Sequence, residues 1–337
     1  MTQTPGLKAA LKRGALLAAA NWQLVIIQFV AESSLKLLLA VPIIGGAFLV
    51  ALLLDASLTD LLRGDVREIV TAIISALTAS PAALAAFVAS SLVVLLGGST
   101  ITFIVKGGTV ALLAEAERTA GPIERPPLHV QSLRRASVVA IDPFLDGCTR
   151  LWRRYVRIGF GLLLVYGLTG AAYLAFVWRG YELAANSAIL LVWTAAAALA
   201  SSALIVWITL INFFYLMTQM VVAIEDVSVR TGVRLALRFV WGHLREVAAV
   251  FGVVLVLVIV ATVASILATA GLGLIAFVPL AGLAVLPLQL AAWLVRGIVF
   301  EYLALAALGA YLSHYRWYRH AAESQPPLRD VSGQRFA

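Results

Sequence analysis

Charged residues are scarce in this sequence. Asp, Glu, Lys and Arg make up 12% of its 337 residues, whereas a soluble domain typically carries about 25%. Hydrophobic residues reach 62%, and the mean hydropathy is +0.98. A water-soluble fold of this size cannot hide so much apolar surface, because a large share of any globule's surface stays wet. These features exclude a soluble fold and favour a protein whose solvent is lipid.

Cysteine and catalytic motifs are nearly absent as well. Cys148 is the only cysteine, so the sequence excludes an intrachain disulfide. The four histidines are scattered without metal-ligand spacing, and neither a phosphate-binding glycine loop nor a G-x-S-x-G motif occurs. We therefore predict no catalytic residue, no metal and no cofactor, and we interpret the chain as a non-enzymatic protein.

Long apolar runs are what the sequence has in abundance. A membrane span needs about 20 apolar residues at a rise of roughly 1.5 Å each. Six runs meet this requirement, which predicts an all-α polytopic membrane protein with six transmembrane helices. The runs cover residues 25–54, 82–113, 157–178, 188–222, 247–270 and 289–313. Residues 1–321 are predicted to form a single membrane domain, and the polar residues 322–337 a disordered cytoplasmic tail.

Basic residues alternate between the two sides of the predicted spans. Nineteen of them lie in the N-terminal stretch, the second and fourth connections and the tail, and only three lie in the other connections. This asymmetry is the positive-inside pattern, which places both chain ends in the cytoplasm. We therefore expect a bacterial cell (inner) membrane protein. Its net charge of +8 reflects membrane orientation, and no nucleic-acid partner is expected.

Basic amphipathic segments precede the first, third and fifth spans. Charged and apolar residues take separate faces of each segment. A helix of this kind lies in the membrane interface with its cations near anionic headgroups. An ordinary solvated helix end is the alternative interpretation. The candidate lipid-headgroup residues of the second and third segments are Arg150, Arg153, Arg154, Arg157, Arg230, Arg234 and Arg238.

The three basic segments also predict an internal repeat. Each is followed by two spans, which defines three elbow-plus-hairpin units at residues 7–117, 144–226 and 229–317. The ends of the second and fourth spans align so that Glu115 and Glu225 coincide. The sixth span ends in a sequence that matches the other two poorly.

Five charged residues fall inside or beside the predicted spans, where a charge is costly and suggests a function. Glu32 and Lys36 are four residues apart, so they share a helix face and can pair. Glu301 is expected to neutralise Lys106 or Arg296 from another helix. Together these residues predict a polar site that binds an anion, a lipid headgroup or a proton. The alternatives are a structural ion pair and, for Lys106, a side chain that reaches to the interface.

The connection at residues 271–288 carries no charge and contains three glycines and two prolines. It is too apolar for a free loop. We predict either a re-entrant or broken helix, as found at transporter sites, or a short apolar cap on the outer interface.

The stretch VVAIEDVSVRTGVRLALRFVWGHLREVAAVF, residues 221–251, combines an acidic span end, a basic segment and a new span. It resembles the membrane domain attached to some bacterial glycerophosphoryl diester phosphodiesterases, and related uncharacterised multi-pass bacterial proteins. In that family the catalytic residues lie on a separate soluble barrel. No stretch of this sequence has room for one, so the resemblance implies a membrane fold without the phosphodiesterase activity.

Two functions remain open from the sequence. The first is an integral membrane protein that binds membrane lipids, a partner complex or further copies of itself through its basic interfacial helices. The second is a small-solute or lipid transporter with a site around Glu32, Lys36, Arg296 and Glu301. A polar cavity that reaches these charges would favour transport, whereas charges paired off in a dry core would favour the first function.

Overall fold

The computed structural model of the chain describes residues 6–53, 80–125, 130–138, 140–184, 189–276 and 281–323. These residues form nine α-helices, and no β-strand occurs among them. In chain order the helices are α1 (Leu7–Ala20), α2 (Trp22–Leu53), α3 (Pro81–Thr119), α4 (Val130–Ala136), α5 (Ile141–Ala184), α6 (Leu190–Glu225), α7 (Val229–Gly242), α8 (Leu244–Ala276) and α9 (Ala281–Glu323).

Six of these helices are long and apolar enough to cross a membrane, which confirms the predicted all-α polytopic membrane fold. The spans are Trp22–Gly46, Leu84–Thr119, Ile141–Ala184, Leu190–Glu225, Leu244–Ile275 and Val285–His320. The predicted tail at 322–337 lies outside the described residues, except for the last two residues of α9.

Two of the three predicted basic segments are separate helices. α1 ends before Asn21, whose side-chain amide donates to the carbonyls of Leu17 and Ala136 at 2.9 and 3.0 Å and accepts from the Val138 amide. α7 begins after Ser228, whose hydroxyl caps the helix. A turn at His243, directly after the end of α7, separates it from α8. Asn21 therefore fixes the angle between α1 and the first span.

The second basic segment is not a separate helix, so that part of the prediction is wrong. It forms the first half of α5, which runs unbroken for 44 residues from Ile141 to Ala184. Such a helix is about 66 Å long, roughly twice the thickness of the hydrocarbon core. Residues 148–158 contain no Gly, Pro or Asn that would end a helix. The basic turns therefore continue directly into the third span.

The predicted segment at 271–288 also continues the regular helices. α8 extends through Gly271 to Ala276, and α9 begins at Ala281 and includes Pro287. Residues 277–280, between the two helices, lie outside the described residues. The described part of this connection therefore lengthens two spans and contains no re-entrant loop.

Each basic segment packs against the second helix of another hairpin. The hairpins are α2/α3, α5/α6 and α8/α9, and α1 packs on α9, the start of α5 on α3, and α7 on α6. In each case the partner is the last helix of the preceding predicted unit, and the third unit counts as the one that precedes the first. The three predicted units are compatible with this order, and they stay a prediction.

These crossings are close because a glycine lies at each of them. A Cβ on Gly14 of α1 would lie 2.2 Å from the Ala306 carbonyl oxygen of α9. A Cβ on Gly108 of α3 would lie 2.5 Å from the sulfur of Cys148 on α5. A Cβ on Gly232 of α7 would likewise overlap a methyl group of Val222 on α6. Small residues let helix backbones approach each other, which is how helices associate in lipid.

Most of the buried core lies at one end of the bundle. We call the end at which α1, α4 and α7 lie the elbow end, and the opposite end the hairpin end. Leu17, Leu113, Met220 and Leu312 of four different helices are fully buried near the elbow end. Toward the hairpin end most large apolar side chains are exposed, as expected of surfaces that face lipid.

Candidate functional site

The charged residues predicted inside the spans meet at two adjoining cavities of the helix bundle. The elbow-side cavity has a volume of about 360 Å³ and the hairpin-side cavity about 510 Å³. Glu32, Phe300 and Glu301 line both. The first is also lined by Gln28, Lys106, Thr109, Asn212, Tyr215 and Gln219, and the second by Phe29, Ser33, Lys36, Thr262, Trp293 and Arg296.

The two cavities extend over most of the thickness of a membrane. Along α9 their lining begins at Trp293 and ends at Leu308. These sixteen residues span about 22 Å of helix, compared with about 30 Å for a hydrocarbon core. Because α9 runs from the hairpin end to the elbow end, the cavities lie one above the other along the bundle.

Glu32 is the centre of the site. Its Oε1 atom lies 2.9 Å from Lys106 Nζ and accepts a 3.2 Å hydrogen bond from Gln28 Nε2. Glu301 lines both cavities beside Glu32. The wall shared by the two cavities therefore holds an ion pair and a second carboxyl group.

The observed ion pair differs from the predicted one. Glu32 pairs with Lys106 of α3 rather than with Lys36 of its own helix. Positions four apart share a helix face, but they are offset along the helix by about 6 Å, and Lys36 lies in the hairpin-side cavity. Lys106, for which a side chain reaching to the interface was one alternative, is 28% exposed and pairs with Glu32. Within the described residues, no ion pair joins Glu301 to Lys106 or Arg296.

Polar atoms without a protein partner line the elbow-side cavity. Gln28 Oε1, the Tyr215 hydroxyl and Gln219 Nε2 are buried and make no hydrogen bond of normal geometry within the described residues. Tyr215 and Gln219 do lie beside each other. A buried polar group without a partner typically costs about 1–3 kcal/mol. Three of them around one cavity indicate a space suited to water or a polar ligand.

The α6 side of this site was missed by the sequence analysis. Asn212, Tyr215 and Gln219 are spaced by three and four residues on an otherwise apolar helix. That spacing places them on one face. The same spacing links Gln28, Glu32 and Lys36 on α2, of which only the two charged residues were predicted.

The hairpin-side cavity is positively charged. Neither Lys36 nor Arg296 forms an ion pair within the described ranges, and the Arg296 guanidinium lies 5.8 Å from the centre of the Phe300 ring. Together with Lys106, three cations line the two cavities, against the two carboxyl groups of Glu32 and Glu301. The whole site therefore carries excess positive charge, which attracts an anion.

The arginines predicted on α5 are not part of this site. Arg150, Arg153 and Arg157 are exposed, and Arg153 lies over the ring of its neighbour Trp152. Arg154 forms an ion pair with Asp226 at 2.5 Å, which ties α5 to the end of α6. One of the four predicted lipid-binding residues thus has a structural partner.

The arginines of α7 lie on a surface of a different kind. The face with Gly232, Ala236 and Phe239 is buried against the bundle. Beside it runs an exposed apolar stripe, followed by an exposed basic stripe. The apolar stripe consists of Val233, Leu237 and Trp241, and the basic stripe of Arg230, Arg234 and Arg238.

A buried ion-pair cluster at the elbow end was also missed. Glu117 of α3 is only 6% exposed and accepts hydrogen bonds from Arg13 Nε at 3.0 Å and Arg316 Nη1 at 2.6 Å. Glu115, which coincides with Glu225 when the ends of the second and fourth spans are aligned, is more exposed and pairs with Arg118 on its own helix. Glu117 joins α1, α3 and α9, so its role is structural.

The chain matches no protein-family model, and no curated protein or solved structure is significantly similar to it. The resemblance of residues 221–251 to a phosphodiesterase membrane domain therefore stays a prediction. Within the described residues, no group of three or more His, Cys, Asp and Glu side chains is arranged to hold a metal ion.

Proposed function

We propose that this integral membrane protein is a permease that binds a small anion in the two cavities and carries it across the membrane. One observation supports this choice over the alternatives. The cavities reach all five charged residues of the predicted site and share Glu32 and Glu301 as a common wall. A protein held together only by paired charges has no need of polar space around them.

The residues divide naturally into roles within this proposal. Lys36 and Arg296 attract the anion from the hairpin side, and Lys106 supplies the positive charge on the elbow side. Glu32 and Glu301 form the wall that the two cavities share. The Phe300 ring also lines both cavities. A transporter opens its site to one side at a time, which the two-cavity arrangement allows.

The proposed orientation follows from the basic residues. The helices α1, α4 and α7 lie at the elbow end. Most of the nineteen basic residues counted in the N-terminal stretch, the second and fourth connections and the tail lie at this end too. Because such residues collect on the cytoplasmic side, the elbow end faces the cytoplasm of a bacterial inner membrane. The hairpin-side cavity then faces outward.

The first test measures anion binding to the purified protein. Thermal unfolding in detergent is followed with inorganic phosphate, glycerol phosphate and succinate as probes. At least one probe is expected to raise the Tm of the wild type. Lys36→Gln and Arg296→Gln should each raise the probe concentration needed for that effect about tenfold or more, since a charged hydrogen bond contributes about 1.5–3 kcal/mol. Arg179→Gln, an exposed change on α5 outside the cavities, is the matched control.

Native mass spectrometry of the reconstituted protein completes this test. A bound species that is lost in both cavity variants, with folding preserved, supports the site. Uptake of the labelled probe into liposomes then tests transport directly. If no probe binds and both variants only lower the Tm, the charges hold the bundle together and the permease proposal fails.

A second function is supported by the surface of α7. We infer that α7 lies in the membrane interface and binds anionic lipid headgroups through Arg230, Arg234 and Arg238. Its exposed apolar stripe lies between the buried face and the basic stripe. An interfacial helix needs that order, because its apolar side faces the acyl chains while its cations face the headgroups.

The α7 hypothesis is tested by changing all three arginines to Gln. Phosphatidylglycerol should stabilise the wild type more than phosphatidylcholine does, and the triple variant should lose most of that difference. About 1 kcal/mol per arginine is expected from attraction to an anionic surface. An unchanged preference for phosphatidylglycerol would contradict lipid binding by α7.

A further inference from the structure

An apolar groove lies where α1 meets α8 and α9. Its volume is about 530 Å³, and its walls are almost entirely apolar. Leu11 of α1, Val253 and Leu257 of α8 and Leu303 of α9 line it. The groove lies on α9 away from the polar cavities, since no residue lines both.

Two lysines flank the groove on α1. Lys8 and Lys12 belong to its lining, and no acidic residue does. Lys8 is exposed, while Lys12 Nζ donates a 2.8 Å hydrogen bond to the carbonyl of Glu124. They lie one turn apart near the start of α1, at the elbow end. One side of the groove is therefore basic, and the rest is apolar.

This combination matches a phospholipid. At membrane depth an open apolar groove meets acyl chains rather than water. The lysines belong to the helix that precedes the first span, at the level of the headgroups, where ammonium groups attract phosphate. We propose that the groove binds one anionic phospholipid from the leaflet at the elbow end. Its acyl chain lies between α1, α8 and α9, and its phosphate lies at Lys8 and Lys12.

The bound lipid would add to the contact between α1 and α8, which is small in the protein alone. α1 packs extensively on α9 but touches α8 at few positions. The Tyr302 hydroxyl donates a 3.1 Å hydrogen bond to the Ala15 carbonyl at the floor of the groove. The acyl chain would extend this contact to α8. The site is separate from the α7 surface and from the proposed permease site.

The test uses the full-length protein in detergent, with phosphatidylglycerol and phosphatidylcholine as competing probes and native mass spectrometry as the readout. The wild type should retain one phosphatidylglycerol with a preference of about 25-fold, from about 1 kcal/mol for each lysine. Lys8→Gln combined with Lys12→Gln should abolish the preference. Val253→Trp, or the more exposed Leu257→Trp, should fill the groove and remove the bound lipid altogether. Arg134→Gln, an exposed change on α4, is the matched control.

The outcomes separate this proposal from its alternatives. Loss of the preference in the lysine variant and loss of the lipid in either tryptophan variant support the groove site. Equal retention of both lipids by the wild type overturns it. So does unchanged phosphatidylglycerol binding in both tryptophan variants. The same experiment on Glu301→Gln should show no change, because that residue lines a different cavity.

Discussion

The half of the bundle nearest the elbow end, the elbow half, and the half nearest the hairpin end, the hairpin half, are held together in different ways. In the elbow half, glycine crossings bring backbones into contact and Glu117 joins three helices. In the hairpin half, side chains such as Leu191 and Leu199 are 82% and 73% exposed. Apolar surfaces gain little by leaving lipid for another apolar surface. Close backbone approach and buried charge therefore carry the stability, and both are concentrated at the elbow end.

The candidate site lies between these two halves. Glu32 and Glu301 separate the elbow-side cavity from the hairpin-side cavity. A permease needs one part that keeps its shape and another that opens and closes around the bound solute. The contrast in packing assigns the first role to the elbow half. The hairpin half, with fewer buried contacts, is expected to rearrange at lower cost.

The largest effect is expected at the crossing of α1 and α9. Gly14→Ala places a methyl group 2.2 Å from the Ala306 carbonyl oxygen, so the two backbones must separate. We expect a loss of about 3 kcal/mol or more in the free energy of unfolding, measured by unfolding in sodium dodecyl sulfate against a mild detergent. Gly167→Ala of α5 is the matched control, because a Cβ there meets nothing within 4 Å. A tolerated Gly14→Ala would show that the crossing is not a major source of stability.

The next effect concerns the charge cluster at the elbow end. Glu117→Gln removes the buried partner of Arg13 and Arg316 and should cost about 3 kcal/mol in the same assay. Glu115→Gln, two residues away, affects an exposed pair with Arg118 and should cost less than about 0.5 kcal/mol. Equal effects of the two changes would mean that burial of the cluster does not determine its contribution.

A smaller effect is expected at the boundary between the halves. Lys106→Met leaves the Glu32 carboxylate without its cation, but the pair is about a quarter exposed. The expected cost is about 2 kcal/mol, below that of a fully buried pair. Adding Glu32→Gln should recover part of this loss, because it removes the uncompensated charge. Strictly additive losses in the double variant would show that the two side chains do not interact.

The fold was largely predictable because its main signals are local. Hydropathy and loop charge each depend on a short stretch of sequence, and together they predict six spans. The same holds for α7, whose stripes and Ser228 cap are visible in the sequence. The prediction failed at α5, where amphipathicity marks a basic segment but not whether the helix stops after Arg157. A break needs a residue such as Asn21, which α5 lacks there.

The candidate site was predictable in composition but not in pairing. Charge within a span is costly enough to single out all five residues. Which of them meet depends on how each helix is rotated about its axis, and hydropathy does not specify that rotation. Glu32 therefore pairs with Lys106 on a neighbouring helix, not with Lys36. An uncharged polar residue such as Gln219 costs less free energy in a span than a charge does, so the sequence alone does not single it out as part of the cavity lining.

The smallest effect is expected in the hairpin half. Leu199 of α6 is 73% exposed, so Leu199→Ala removes a side chain that mainly contacts lipid. In detergent or lipid the change should alter the free energy of unfolding by less than about 0.5 kcal/mol. Leu113→Ala is the matched control in the elbow half, where the side chain is fully buried and a cavity would cost about 3 kcal/mol.

This pair of leucines tests the contrast without involving charge or glycine. A large loss for Leu199→Ala would mean that the exposed hairpin surface is covered in the membrane, for example by a second copy of the chain. Chemical crosslinking of the wild type in liposomes would then detect that copy. A small loss, together with a large one for Leu113→Ala, would place the stability in the elbow half, and the hairpin half would remain the part free to move around the site.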